Sequence, residues 1–261
     1  MRNRTLWSLI VLVAFIVIGL AEQSRHAHTS LDWTKQAIGR GTTNQRLLCL
    51  TFDDGPNPNT TPDLLRILRK HNAKATFFLI GRRVKLYPDI ARQIADEGHD
   101  IGNHSMTHPN LTQLESVQVF KEWSDCSLAI KDAVGFLPRY CRPPGGQANR
   151  NVLQLAGDLR MRAVAWTFNS EDFKSDSWTA VRDAVLKKVE NGGIILLHEK
   201  VFHTTTALDE ILTVLEEKQF KMVSLTEMEA YDDEQDDRAL LPPNWLKDAH
   251  EAASIHIGST H

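Results

Sequence analysis

From Arg46 onward the chain alternates short apolar, β-rich runs with amphipathic stretches of helical period, and this rhythm restricts its fold more than any other feature. Consecutive parallel strands need long crossovers, and helices laid over the sheet supply them. The runs read as strands are Arg46–Phe52, Ala75–Ile80, His99–Gly102, Arg139–Arg142, Arg162–Phe168, Gly193–His198 and Met222–Leu225. Thr61, Pro62 and the following Asp-Leu-Leu-Arg-Ile-Leu-Arg-Lys read as an N-cap, a proline at the first helical position and an apolar stripe. Further helices are expected near Pro88–Glu97, Leu111–Val134, Arg150–Ala156, Ser177–Glu190 and Ala207–Gln219. The class is α/β with about seven parallel strands. Periodicity alone leaves a barrel and an open sheet equally open.

Thirty basic residues against 33 acidic ones give a formal net charge of −3, so no global positive field is available to hold nucleic acid. Cys49, Cys126 and Cys141 form no C-x-x-C pair; they allow one disulfide at most, Cys126 with Cys141, or three small buried thiols. At the amino terminus Arg2 and Arg4 precede an apolar stretch from Leu6 to Ala21 with Ser8 as its only clearly polar residue. These 16 residues would reach about 24 Å as a helix, against about 30 Å of hydrocarbon. Residues 1–21 therefore read as a removable signal peptide, with small Gly19 and Ala21 before the cut, or as an uncleaved membrane anchor flanked by Trp7 and the arginines. Either reading places the body outside the cytoplasm, periplasmic, cell-surface or secreted. Residues 22–44 read as a polar linker, 45–230 as the folded domain and 231–261 as a polar tail in which Asp-Asp-Glu-Gln-Asp-Asp follows Tyr231. Nothing in the chain specifies an oligomeric state.

Polar groups collect where strands end. Thr51-Phe52-Asp53-Asp54-Gly55-Pro56 places two carboxylates at the end of a buried strand, whose neighbouring residues face opposite sides, so the pair suits two separate roles, a cation ligand and a base. Asp-Gly-Pro is also ordinary turn chemistry. His104-Ser105-Met106-Thr107-His108 follows the next-but-one strand, and two imidazoles four apart converge on a metal if the segment makes a helical turn. With Asp54 they would offer one oxygen and two nitrogen donors and an open position, the donor set of a hydrolytic zinc. Arg142-Pro143-Pro144-Gly145-Gly146 and the run Gly193 to His198 supply two more strand-end groups.

In their joint order these motifs resemble the polysaccharide deacetylases of the NodB-homology type, carbohydrate esterase family 4, over about residues 46 to 226. The resemblance implies a distorted (β/α) barrel and a metal-dependent hydrolase that removes N-acetyl groups from N-acetylglucosamine-containing polysaccharide, chitin oligomers or peptidoglycan. It implies a divalent metal, zinc first with cobalt or nickel as alternatives. Asp54, His104 and His108 look like its ligands, Asp53 like the general base, Arg142 like the group that orients Asp53, and His198 like the general acid. Asp172 is in register to hold His198; Gly145 resembles the backbone donor to the oxyanion, and Leu196 the wall against the acetyl methyl. Gly145 stands where relatives often carry an aromatic residue, and Phe173 replaces the family's tryptophan. His99 is read as structural. Two other readings are an O-acetyl esterase on an acetylxylan-like glycan and a binding homologue whose catalysis has lapsed.

Overall fold

A computed structural model describes residues 37–42 and 45–240, with side chains as far as 232. The apolar stretch 6–21, most of the expected linker and the chain beyond 240 lie outside the described residues. Among the described residues no helix is long and apolar enough to cross a membrane.

The central strand is β1, Leu47–Gly55, buried at all nine positions because it has a neighbour on each edge and is covered on both faces. Beside it stand β2 (Ala75–Leu79), β3 (Asp100–Asn103), β4 (Tyr140–Cys141) and β5 (Arg162–Ala163) on one side, and β7 (Gly193–His198) and β6 (Phe168–Asn169) on the other. The order is β5-β4-β3-β2-β1-β7-β6, with β8 (Lys221–Met222) pairing the start of β1, and every pairing is parallel.

The two ends of this path, β5 and β6, are joined by only four residues, Val164 to Thr167. Five extended steps reach at most about 18 Å. Six strand spacings laid flat would separate the ends by about 29 Å. The sheet must therefore curl, and it forms an incomplete barrel. The single strand expected over Arg162–Phe168 is thus two short ones: Val164 N donates to Cys141 O (2.9 Å) on one side, and Thr167 N to Ile194 O (2.9 Å) on the other.

Alternation along β1 separates two cores. Leu48, Leu50 and Phe52 pack outward with Leu64, Leu68 and Ile211 of the helices. Leu47 and Cys49 face the concave side with Phe78, Tyr140, Ile194 and Val223. Period two then sends Thr51 and Asp53, Leu196 and His198, and Tyr140 and Arg142 toward that same concave side. The three cysteines are free and buried, so the Cys126–Cys141 disulfide is absent; burial pushes the Cys49 and Cys141 thiols up to about 12.

The covering helices are α1 (Thr61–Lys70), α2 (Gly81–Leu86), α3 (Pro88–Asp96), α4 (Ser116–Val134), α5 (Arg150–Asp158), α6 (Trp178–Lys187), α7 (Phe202–Glu217) and α8 (Leu225–Leu240). Thr61 lies inside α1 rather than capping it, and Thr60 holds the N-cap position. The helix expected from Leu111 is a short 3₁₀ turn, Leu111–Gln113, followed by α4, which starts at a capping box formed by Glu115 and Gln118. Helix α2 was not expected. The strand expected over Met222–Leu225 ends early because Ser224 and Glu227 cap α8 reciprocally: Ser224 N donates to Glu227 Oε2 (2.9 Å) and Glu227 N to Ser224 Oγ (3.3 Å). Helix α8 runs through residue 231, where the sequence suggested a tail, and Thr42 N donates to Asp232 Oδ2 at 3.0 Å.

Candidate active site

The site is built where the strands end. Asp53 follows the alternation of β1 inward, but Asp54 breaks it. Its φ is 73°, and the register with β2 shifts between Asp53 and Gly55, so Asp54 is the extra residue of a bulge. Both carboxylates consequently face one cavity, whereas an unbroken strand would have sent them to opposite faces. Only glycine fits next: a Cβ on Gly55 would lie 1.5 Å from Glu199 Oε1.

His104 and His108 converge without the expected helical turn. Asn103 Oδ1 accepts from Ser105 N (2.8 Å), Ser105 Oγ accepts from His108 N (2.9 Å), and Ser105 and His108 have φ of 62° and 65°. Side-chain acceptors thus fold the segment back on itself, and the ring centroids stand 4.9 Å apart. His104 Nδ1 meets the carbonyl of Arg142 at 2.7 Å. A carbonyl only accepts, so Nδ1 carries the proton and Nε2 keeps a lone pair on the side of Asp54, where it can serve a cation. Burial holds the His104 imidazole below its ordinary value despite the pull of Asp53 and Asp54, which favours the neutral ligand form.

One donor atom each from Asp54, His104 and His108 lies within 4.8 Å of the others. Asp54 Oδ1 is 3.1 Å from His108 Nε2 and 3.6 Å from His104 Nε2, yet this buried oxygen has no hydrogen-bond partner. A buried, unsatisfied carboxylate oxygen facing two imidazole nitrogens fits a metal ion in donor type and number. Burial disfavours the Asp54 charge, but His108, His104 and Lys200 outweigh it and hold the carboxyl well below the usual carboxylate range.

Two charge pairs flank this group. Arg142 is fully buried; its NH1 donates to Asp53 Oδ1 (2.8 Å) and Thr51 Oγ1 (2.7 Å), its NH2 to Ala165 O (2.9 Å) and its Nε to Val164 O (3.2 Å). The guanidinium also stacks over Phe78, 4.2 Å from the ring centroid. Asp53 Oδ2 makes no bond to Arg142 and lies 3.7 Å from His104 Nε2. On the other side Asp172, itself fully buried, accepts from His198 Nδ1 (2.7 Å), His198 N (2.8 Å), Phe173 N (3.0 Å) and Thr204 Oγ1 (2.5 Å). Burial opposes protonation of His198, but the Asp172 bond and the charges of Asp53, Asp172 and Asp54 prevail and raise its pKa. The Phe173 ring stands edge-on to the imidazole, centroids 5.2 Å apart.

Asp53, Asp54, His104, His108, Gly145, Phe173, Leu196 and His198 line one cavity of about 260 Å³. Arg142 and Asp172, which do not line it, brace Asp53 and His198 from behind. All ten residues singled out from the sequence therefore belong to one constellation. Gly145 has a φ of 61°, and a Cβ there would meet nothing within 4 Å. Gly145 adds no side chain to the cavity, while Trp166 lines it beside Gly146. His99 is structural: its Nδ1 accepts from Ala75 N at 3.2 Å, and burial pulls the imidazole down to about 4. A larger cleft of about 840 Å³, lined by Arg40, Arg139, Arg150 and Arg162 among others, contains none of these groups.

Sequence reasoning missed three contributors. Lys200 Nζ is 2.7 Å from Asp54 Oδ2, yet a lysine two residues after a histidine carries no recognisable signal. Trp166 lies in the link between β5 and β6, and its place in the cavity depends on the curl of the sheet. Glu199 is buried behind Gly55, with its carboxyl raised to about 8 by burial; the apolar run ending in His198 gave no reason to look one residue further.

Parallel strands curled into an incomplete barrel, with an Asp-His-His group able to bind a metal at their carboxyl ends, define the class of this protein. The chain belongs to the polysaccharide deacetylase family. The model of that family, described as polysaccharide deacetylase, matches residues 40–164. A peptidoglycan-N-acetylmuramic acid deacetylase of Bacillus subtilis is 35% identical over 71% of this chain and 39% of its own length. A peptidoglycan-N-acetylglucosamine deacetylase of Bacillus cereus is 34% identical over 81% of this chain and 79% of its own. Among solved structures, a CE4 family pseudoenzyme from Bacillus anthracis superposes with a TM-score of 0.70 at 34% identity, covering 73% of this chain and 68% of that one. The chain spans only about two fifths of the length of several of the relatives it matches.

Proposed function

We propose that the protein is a metal-dependent polysaccharide N-deacetylase, acting outside the cytoplasm on peptidoglycan or chitin-type chains of N-acetylglucosamine. The observation that carries this reading is that one cavity holds the Asp54-His104-His108 group together with two separately braced proton-transfer groups, Asp53 on Arg142 and His198 on Asp172. A lapsed binding protein has no use for a base and an acid held apart in this way. The cell-wall substrates named for the relatives support the substrate class and the compartment, as does the apolar stretch Leu6–Ala21.

Asp54, His104 and His108 would hold a divalent cation, zinc before cobalt or nickel, which would acidify a water and polarise the acetamide carbonyl. Asp53 keeps Oδ1 on Arg142 and has Oδ2 free to take the proton of the attacking water. The N–H of Gly145 donates to the oxygen that gains charge. Leu196 meets the acetyl methyl, and Phe173 gives the sugar an apolar surface. His198 commits Nδ1 to Asp172, so Nε2 delivers the proton that the departing sugar nitrogen needs.

The direct test is mass spectrometry of peptidoglycan and chitin oligomers after incubation with the metal-loaded protein. Loss of acetyl groups is expected, accompanied by free acetate, and none with His104→Ala. Acetate from acetylxylan alone would instead assign an O-acetyl esterase.

The raised pKa of His198 also sets a pH dependence. A general acid works while protonated, so activity is expected to fall as pH rises through that value. Asp172→Asn removes the charge that helps to raise it and leaves one amide oxygen in place of two carboxylate oxygens. The alkaline limb of kcat/KM should move to lower pH and kcat should fall about a hundredfold. An alkaline limb that stays in place rejects His198 as the acid.

A further inference from the structure

Asp54 presents its two oxygens to different partners. Oδ1 faces the imidazoles and lacks a hydrogen bond, while Oδ2 is 2.7 Å from Lys200 Nζ. The carboxylate is 7% exposed and the lysine side chain 57% exposed. A buried carboxylate needs a positive partner continuously, whereas a half-solvated ammonium loses little by turning back to water. The same two charges also bear on a divalent cation: an ammonium held on one oxygen of a ligand repels a metal on the other and draws electron density from the ligand.

We propose that Lys200 is a stand-in cation for the metal site, which neutralises Asp54 while no metal is bound and competes with the incoming metal for it. This rests on Asp54, His104 and His108 being the metal ligands. Lys200 is thereby a positioning residue that acts through Asp54. It keeps the site folded between metal-binding events and makes the metal exchangeable.

The test uses the full chain, stripped with chelator and titrated with Zn²⁺ by competition against a chromogenic chelator, with thermal unfolding followed in both states. Lys200→Met should bind Zn²⁺ about tenfold more tightly than the unaltered protein, the size expected for the loss of one charge-assisted contact to a buried carboxylate. Its metal-free form should melt lower than the metal-free unaltered protein, and zinc should raise its melting temperature by more. Lys200→Arg, which keeps the charge, should stay close to the unaltered protein. Unchanged or weaker zinc binding by Lys200→Met overturns the competition, provided that the unaltered protein binds zinc and His104→Ala does not. If the unaltered protein itself binds no zinc, the metal assignment falls first, and this inference falls with it.

Discussion

Replacing His104 with alanine is expected to give a folded protein that does not retain a divalent metal and deacetylates at least about a thousandfold more slowly, the scale on which electrostatic stabilisation of the reaction acts. The side chain contributes one Nδ1–H bond to the Arg142 carbonyl and one lone pair toward Asp54. Loss of the first leaves a buried carbonyl short of a donor and costs about 1–3 kcal/mol, which a domain with two extensive apolar clusters can absorb. Loss of the second removes one of the three proposed metal ligands. Elemental analysis after gel filtration and acetate release measured on the same samples separate the two effects. Chelator should silence the unaltered protein and added zinc should restore it, while His104→Ala should respond to neither. A variant that keeps both metal and activity would remove the basis for the proposed chemistry.

The site residues were named from strand-end motifs and the family resemblance, and for several of them strand alternation explains the position. Thr51, Asp53, Arg142, Leu196 and His198 all sit on the concave side because the side-chain period of a strand is two. Alternation fails at Asp54, where a bulge turns the carboxylate into the cavity, and nothing in Asp-Asp-Gly-Pro distinguishes a bulge from an ordinary turn. The Asp54-His104-His108 group was suggested by spacing and by the resemblance, and the two imidazoles converge without the helical turn expected from the spacing. His104 and His108 meet through turns closed by Asn103 and Ser105 side chains, and such side-chain acceptors compete with the helix in any segment this rich in them. Helix α8 was overlooked although Ser224 and Glu227 spell a capping box, because the polar sequence after Tyr231 suggested a tail. Trp166 and Lys200 were illegible for a different reason. Trp166 depends on the closure between β5 and β6, and Lys200 on the pairing of β7 with β1, which sets Asp53 opposite His198; neither is a local pattern.

Replacing Arg142 with methionine is expected to be the most destabilising single change in the site, and a paired experiment shows why. The guanidinium is wholly buried and donates to Asp53, Thr51 and two backbone carbonyls. Methionine keeps apolar volume against Phe78 but leaves Asp53 buried without its cation, and breaking a buried pair from one side costs about 3–5 kcal/mol. Deacetylation should fall with it, since Asp53 Oδ1 is then no longer fixed and Oδ2 no longer aimed. Combining Arg142→Met with Asp53→Asn removes both charges, so the double variant should be more stable than Arg142→Met alone even though it carries one more substitution. Activity should not return, because asparagine cannot accept the proton. Denaturant unfolding of the single and double variants, read beside acetate release, tests the two parts separately. Additive destabilisation would mean that the pair at 2.8 Å is not coupled, and Arg142 would then brace the barrel through its carbonyl bonds to Val164 and Ala165 rather than hold the base.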